Sequence, residues 1–188
     1  MIVYLETKRM ILREFTENDV DHLVDLDSDP EVTRYINGGK PTARAYIDQT
    51  VMPKILAYYQ KESGFGIWAA MDKKDHAFMG WFLLRPNLSN TDEIELGYRF
   101  KRIYWGQGFA TEGSEALVEK GFESLGIDVL MAAADPANGA SRRVMEKVGL
   151  RYEKDELEPD GFRIVKYSMN RTSYLNQKRA RPDSSGNS

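Results

Sequence analysis

Apolar and polar positions alternate with period two from residue 9 to residue 15. This predicts a strand with Met10, Leu12 and Glu14 on one face and Ile11, Arg13 and Phe15 on the other. The period then changes: Thr16 has the chemistry of a helix cap, Asp19 completes a box-like pair three residues on, and the helix runs to Leu26. Asp29-Pro30 starts another short helical turn, since proline suits a first helical position. After the loop Asn37-Gly38-Gly39-Lys40-Pro41, Thr42 caps a long helix over residues 43–61, interrupted at Pro53.

Period two returns in residues 65–71 and 78–84, around the polar turn Asp72-Lys73-Lys74-Asp75, which is a hairpin signal. A turn over residues 86–90 leads to a strand over residues 93–100. Next come Gly106 and Gly108, then a helix over residues 110–125 with Ala116, Leu117, Phe122 and Leu125 at helical spacing. The apolar run 129–134 reads as a buried strand parallel to 93–100, because a helix lies between them. Residues 138–148 form the next helix, closed by Gly149. Residues 150–156 and 163–169 make a last hairpin around Glu158-Pro159-Asp160-Gly161. Residues 171–188 are polar without an apolar period, so a single domain over 1–170 with a loose C-terminal tail is expected.

Composition narrows the classes. A chain of 188 residues with 41% hydrophobic residues builds one ordinary core, and a net charge of −3 argues against a protein made for nucleic acid. With no cysteine there is no disulfide and no thiolate metal site, which fits a reducing compartment. The first residues meet charge at Glu6, too soon for a signal peptide, and no run approaches the ~20 apolar residues of a membrane helix. A soluble, cytoplasmic protein with no membrane partner is expected.

Two stretches carry candidate chemistry. Strand, glycines, helix is a recurrent way to hold a phosphate: Gly106 and Gly108 let the backbone approach, and the first-turn amides face the anion. No lysine follows the second glycine, so this is not a Walker loop, and a tight turn that only starts a helix reads equally well. In the second stretch Asn138 and Ser141 share a face of a first helical turn. The plain alternative makes Asn138 an N-cap and leaves Ser141 without a role.

The two stretches in order, Trp-Gly-Gln-Gly-Phe-Ala-Thr-Glu from Trp105 and Asn-x-x-Ser-x-x-x-Met-Glu-Lys-x-Gly-Leu from Asn138, resemble the GNAT superfamily of acetyl-CoA-dependent N-acetyltransferases. The opening Thr7-Lys8-Arg9-Met10-Ile11-Leu12-Arg13-Glu14-Phe15, followed by Asp29-Pro30-Glu31-Val32, resembles the branch containing the ribosomal-protein N-terminal acetyltransferases. The resemblance spans about residues 6–167. It implies an α/β (α+β) fold: a mixed, mostly antiparallel sheet of six or seven strands, helices on both faces and a splayed parallel pair, here 93–100 and 129–134. It implies acetyl-CoA as co-substrate and an amine acceptor, either a small molecule or a peptide N-terminus. The family commonly dimerises, so a homodimer belongs to the expectation.

The same resemblance assigns residues. Main-chain groups of Tyr98, Arg99 and Phe100 would pair with the pantetheine arm as another strand does. Amides of Gly106, Gln107, Gly108, Phe109, Ala110 and Thr111 would hold the pyrophosphate. Asn138 would bind the arm, Ser141 would sit near the sulfur, and Arg142, Arg143 and Lys147 are candidates for the ribose phosphate. There are departures: Ile103 stands where the family often has Gln or Arg, which leaves the phosphate to amides and Arg102. Met145 stands where many members carry a tyrosine acid, which makes Ser141 or water the proton donor.

Acetyl transfer needs a neutral amine, so a base must take a proton directly or through water. Glu95 is the candidate, Glu93 on the same strand face is its rival, and an ion pair with Arg99 is the structural alternative. A backbone amide near Gly97 or Tyr98 would meet the oxyanion. With no cysteine, direct transfer without an acyl-enzyme is the economical scheme. His22 and His76 are isolated, so no metal site is expected. Tyr35, Trp81, Phe82 and Tyr104 are either acceptor walls or core. Asp155, Glu156, Glu158 and Asp160 either attract a cationic acceptor or are only solvated. Two other functions compete: a non-catalytic acyl-CoA-binding regulatory module, and a NAD-type dinucleotide enzyme. Against the latter, Thr111 occupies the third glycine's place and Glu93, Glu95 and Arg99 interrupt the preceding strand.

Overall fold

The structure is a computed structural model that describes residues 1–61, 63–158 and 161–180. Its frame is an eight-stranded sheet in the spatial order β1-β2-β3-β4-β5-β6-β8-β7. The strands are β1 Val3–Glu6, β2 Met10–Glu14, β3 Gly66–Asp72, β4 Phe78–Pro86, β5 Ile94–Phe100, β6 Val129–Ala134, β7 Arg151–Leu157 and β8 Arg163–Asn170. Neighbours run antiparallel except β5 and β6, which are parallel because a helical crossover joins them.

Strand alternation gives the sheet two apolar faces. Trp68 and Ala70 of β3 join Phe82 and Leu84 of β4 in one cluster, while Ala69 and Met71 join Phe78 in the other. The second face is covered by α1 Val20–Ser28, α2 Pro30–Asn37 and, after the short exposed α3 Arg44–Tyr46, α4 Met52–Tyr59, through Leu23, Leu26, Val32, Met52 and Ile55. The helix expected over residues 43–61 is thus two α-segments joined by a π-turn at Ile47–Val51, with Pro53 opening α4. Proline has no amide to donate, and the widened turn accommodates it.

The first face is covered by α5 Phe109–Glu119, through Phe109, Leu117 and Val118, and by α6 Gly139–Lys147, through Met145. Phe122 joins this cluster from the π-turn Lys120–Ser124 that prolongs α5. Gly113 sets how close α5 lies: a Cβ there would stand 2.2 Å from Cζ of the fully buried Phe82.

The structure adds two elements to the sequence reading. β1 is a four-residue edge strand, too short for a legible alternation, and the Tyr4 ring stacks on Trp68 at 3.8 Å. Residues 171–180, expected as loose chain, form α7 Arg171–Ala180. It has no fully buried residue and docks by polar bonds and one ring contact: Arg171 donates to the carbonyls of Phe122 and Ile127 at 2.9 and 2.8 Å, Gln177 to that of Gly149 at 3.0 Å, and the Tyr174 ring stacks on Phe122 at 4.7 Å. Its start was signalled by Asn170, whose Oδ1 accepts from the Ser173 amide at 2.8 Å. The turn residues Pro159 and Asp160, and the tail residues 181–188, lie outside the described residues. Among the described residues no helix is long and apolar enough to cross a membrane.

Gly113→Val is expected to lower stability by about 2–3 kcal/mol, since the Phe82 ring has no room to yield. Chemical denaturation reads this directly, and an unchanged midpoint would mean that α5 does not sit against Phe82.

Candidate active site

β5 and β6 pair at only two positions, Ile94 with Leu130 and Glu95 with Met131. Beyond them the strands part. From Leu96 to Phe100, β5 stays paired with β4, while β6 stays paired with β8 through Ala134, so each keeps one edge without a strand partner. A cleft of about 430 Å³ opens there. Its floor is Tyr98, Arg99 and Phe100 on one side and Ala133, Ala134 and Asp135 on the other.

One end of the cleft is the glycine loop with the start of α5, where Gly106, Gly108, Phe109, Ala110 and Thr111 line it. Gly106 and Gly108 take φ of 73° and 82°, a left-handed region that side chains avoid. No side chain caps α5, so its first-turn amides are left for another acceptor. At the facing end of α6, Asn138, Ser141, Arg143, Val144 and Lys147 line the cleft. Asn138 Oδ1 accepts from the Ser141 amide at 3.1 Å, so Asn138 is an N-cap as well as a cleft residue. The Tyr98 hydroxyl reaches the Ser141 carbonyl at 3.5 Å. Burial pushes the Tyr98 pKa up to about 12, so the phenol stays protonated through the neutral range.

Two side chains beside the loop are engaged elsewhere, although for Gln107 the expectation concerned its main-chain amide. Arg102 approaches Asp29 at 3.3 Å, and the Gln107 side chain donates to the Ile103 carbonyl at 2.7 Å. Neither lines the cleft. Arg142 also turns away, donating to the Tyr167 hydroxyl at 3.2 Å.

The two strand carboxylates stand differently. Glu93 gives both oxygens to Lys166, at 2.7 and 2.8 Å, and that lysine is 6% exposed. Burial disfavours the Lys166 charge, but Glu93 and Glu153 outweigh it and hold its pKa above the ordinary lysine value. Glu95 uses one oxygen, Oε2, to accept from Arg85 Nε and Nη2, each at 3.0 Å. Arg85 lies directly across β4 in register with Glu95, whereas Arg99 pairs with Asp27 and stacks over Trp81. Glu95 sits on the part of β5 still paired with β6, at the closed end of the cleft and outside its lining.

Tyr35 and Tyr104, two of the four aromatics read as acceptor walls or core, do line the cleft. Around them the sequence did not point to Glu31, Val32 and Ile36 of α2 or to Trp105 as wall residues, although the i, i+4 spacing of Glu31 and Tyr35 puts both on one helix face. Phe82 is fully buried and Trp81 packs with the α1–α4 cluster, so neither lines the cleft. Of the acidic residues of the last hairpin, Asp155, Glu156 and Glu158 do not line it, and Asp160 lies outside the described residues. Asp155 contacts Arg163 and Glu156 contacts Lys154 on exposed β7.

The acetyltransferase (GNAT) domain family matches residues 9–151, most of the chain. The chain is a GNAT acetyltransferase. It is similar to the uncharacterized protein YkkB of Bacillus subtilis, at 34% identity over 80% of this chain and 86% of that one. It is also similar to the FsC-acetyl coenzyme A-N(2)-transacetylase of Aspergillus fumigatus, at 30% identity over 93% of this chain and 79% of that one. RimL, a ribosomal L7/L12 alpha-N-protein acetyltransferase solved with coenzyme A, shares the fold. Its TM-score is 0.72 at 16% identity, covering 89% of this chain and 97% of that one. Acetyl-CoA is the co-substrate of this family of enzymes, and the reaction is acetyl-CoA-dependent N-acetylation. The residues present suit that thioester: bare strand edges for an amide-bearing arm and uncapped helix amides for a diphosphate. The dinucleotide alternative fails on topology, because the sheet is mostly antiparallel instead of doubly wound parallel.

Lys166→Met is expected to cost about 3 kcal/mol, because it leaves the Glu93 carboxylate mostly buried without its partner. In the native protein the raised Lys166 pKa gives a signed pH effect. The pair's contribution is fully present below the ordinary lysine value of 10.5 and is lost as pH rises through the higher folded value. Urea midpoints at rising alkaline pH test both statements; a midpoint that is flat in pH and equal in the variant would contradict them.

Proposed function

We propose that this acetyltransferase moves the acetyl group directly from acetyl-CoA to a primary amine, either a protein N-terminal α-amine or a small-molecule amine. The observation that carries the reading is the parting of β5 and β6 after two residue pairs, with uncapped helix amides at its end. Tyr98, Arg99 and Phe100 would offer main-chain partners to the pantetheine arm. The amides of residues 106–111 would bind the pyrophosphate, and Arg143 with Lys147 would meet the ribose phosphate. Asn138 would orient the arm, and Ser141 would stand by the sulfur to protonate the leaving thiolate, directly or through water. Arg102 has no part in this scheme, since it is engaged with Asp29.

For the base, we favour Glu95 acting through a water. Both Arg85 contacts fall on its Oε2, and Oε1 would be the oxygen that holds the water. Glu93 instead has both oxygens in an ion pair with the buried Lys166, which ties it to β8 and makes it the weaker candidate. The α2 wall and the Tyr104–Trp105 side would bracket the acceptor.

Glu95→Gln is expected to reduce thiol release by about 100-fold or more while leaving acetyl-CoA affinity within about twofold. The assay is free-thiol release over a panel of peptide N-termini, polyamines and aminoglycosides. Equal turnover by the variant and the native enzyme on an accepted amine would remove Glu95 from proton transfer.

A further inference from the structure

The opening residues Thr7 and Arg9 meet the glycine loop from the far end of the chain. Thr7 Oγ1 donates to Glu112 Oε1 at 2.7 Å, and the Arg9 amide donates to the same oxygen at 2.8 Å. Arg9 Nε donates to Glu112 Oε2 at 2.6 Å, and Arg9 Nη1 donates to the Gln107 carbonyl at 2.9 Å. The guanidinium lies 4.1 Å over the centre of the Phe109 ring. Three points of the loop and first turn, at Gln107, Phe109 and Glu112, are therefore gripped by one side chain.

Apart from this grip the loop is held by bonds within its own segment, Trp105 Nε1 to the Phe100 carbonyl at 2.8 Å and Gln107 Nε2 to the Ile103 carbonyl at 2.7 Å, which do not fix it to the rest of the sheet. A Cβ built at Gly106 would meet nothing within 4 Å, and α5 has no side-chain cap. Ile103 and Trp105, just before the glycines, are 71% and 46% exposed. Two left-handed glycines in so open a segment have large conformational freedom when nothing constrains them. Amides bind an anion well only when they are aimed before it arrives. Glu112 is the right handle, because its own amide closes the first turn on the Gly108 carbonyl at 3.0 Å. The grip also neutralises a carboxylate in the first turn of α5. Burial pushes the Glu112 carboxyl up, but hydrogen bonds from Thr7 and Arg9 and the Arg9 charge outweigh it and hold it below the ordinary carboxylate range.

We infer that Thr7 and Arg9 form a latch on Glu112 and Gln107 that pre-aims the amides of residues 106–111 for the pyrophosphate of acetyl-CoA. They are positioning residues and touch no reacting atom. The inference rests on assigning those amides to the pyrophosphate.

The test compares two acetyl donors by their dissociation constants: acetyl-CoA, and S-acetyl-pantetheine, which lacks the pyrophosphate. Arg9→Lys keeps the charge but cannot reach Glu112 and Gln107 together as a planar fork does. It is expected to weaken acetyl-CoA about tenfold, some 1.4 kcal/mol, and to leave S-acetyl-pantetheine within about twofold. Thr7→Val removes one donor and is expected to give the same pattern at about threefold. Arg9 is 40% exposed, so the lysine variant folds, and a thermal melt verifies it. Loss of affinity for both donors alike, or for neither, would overturn the latch. A native enzyme that binds the two donors equally would instead overturn the pyrophosphate assignment, and the latch with it.

Discussion

Two adjacent parallel strands that share only two residue pairs are the constraint from which the site follows. Backbone donors and acceptors left without partners are costly once water is excluded, so a sheet rarely leaves an interior edge bare. Here the bare edges of β5 and β6 face each other across a cleft of about 430 Å³. A ligand that carries its own amides restores the missing bonds without moving the strands. That is why an extended, amide-bearing arm suits this opening better than a compact apolar molecule does.

Neighbouring elements keep the opening in shape. The Tyr98 ring fills the space between β5 and α6, and its hydroxyl touches the Ser141 carbonyl. On the other sheet face, alternate acids of the α1–α2 segment pair with the end of β5 and the loop after it: Asp25 with Lys101 at 2.6 Å, Asp27 with Arg99, and Asp29 with Arg102 at 3.3 Å. These ion pairs tie the outer wall, α2, to the strand that forms the floor. Each exposed pair contributes little alone, but Arg99 and Asp27 are largely buried, and the set acts as a row. Arg102 and Arg99 are thus tied into the frame by ion pairs.

The local elements were largely legible in the sequence because their signals are local. The period-two runs, the Thr16–Asp19 pair and the Gly149 stop each depend on a few neighbouring residues. β1 was missed because four half-exposed residues show no period, and α7 because it docks by Arg171, Gln177 and the single ring of Tyr174 instead of an apolar stripe. The parting of the strands was legible only through the family resemblance, since no pattern in either strand encodes where pairing stops. Side-chain partners were least legible. Glu95 and Arg99 share a strand face, yet four residues of strand put them about 13 Å apart, whereas Arg85 faces Glu95 in register from β4. Glu93 finds Lys166 from β8, across β6, which only the sheet order reveals. The grip of Thr7 and Arg9 on Glu112 was hidden for the same reason, being made over more than a hundred residues of chain.

The most direct test is residue-resolved amide hydrogen exchange with and without acetyl-CoA. The account requires added protection in two places, the amides of residues 106–111 and the unpaired part of β5 at residues 97–100. The already paired Ile94 and Glu95 should change little. Unchanged exchange at the glycine loop and the open part of β5, with protection appearing elsewhere on the protein, would contradict it.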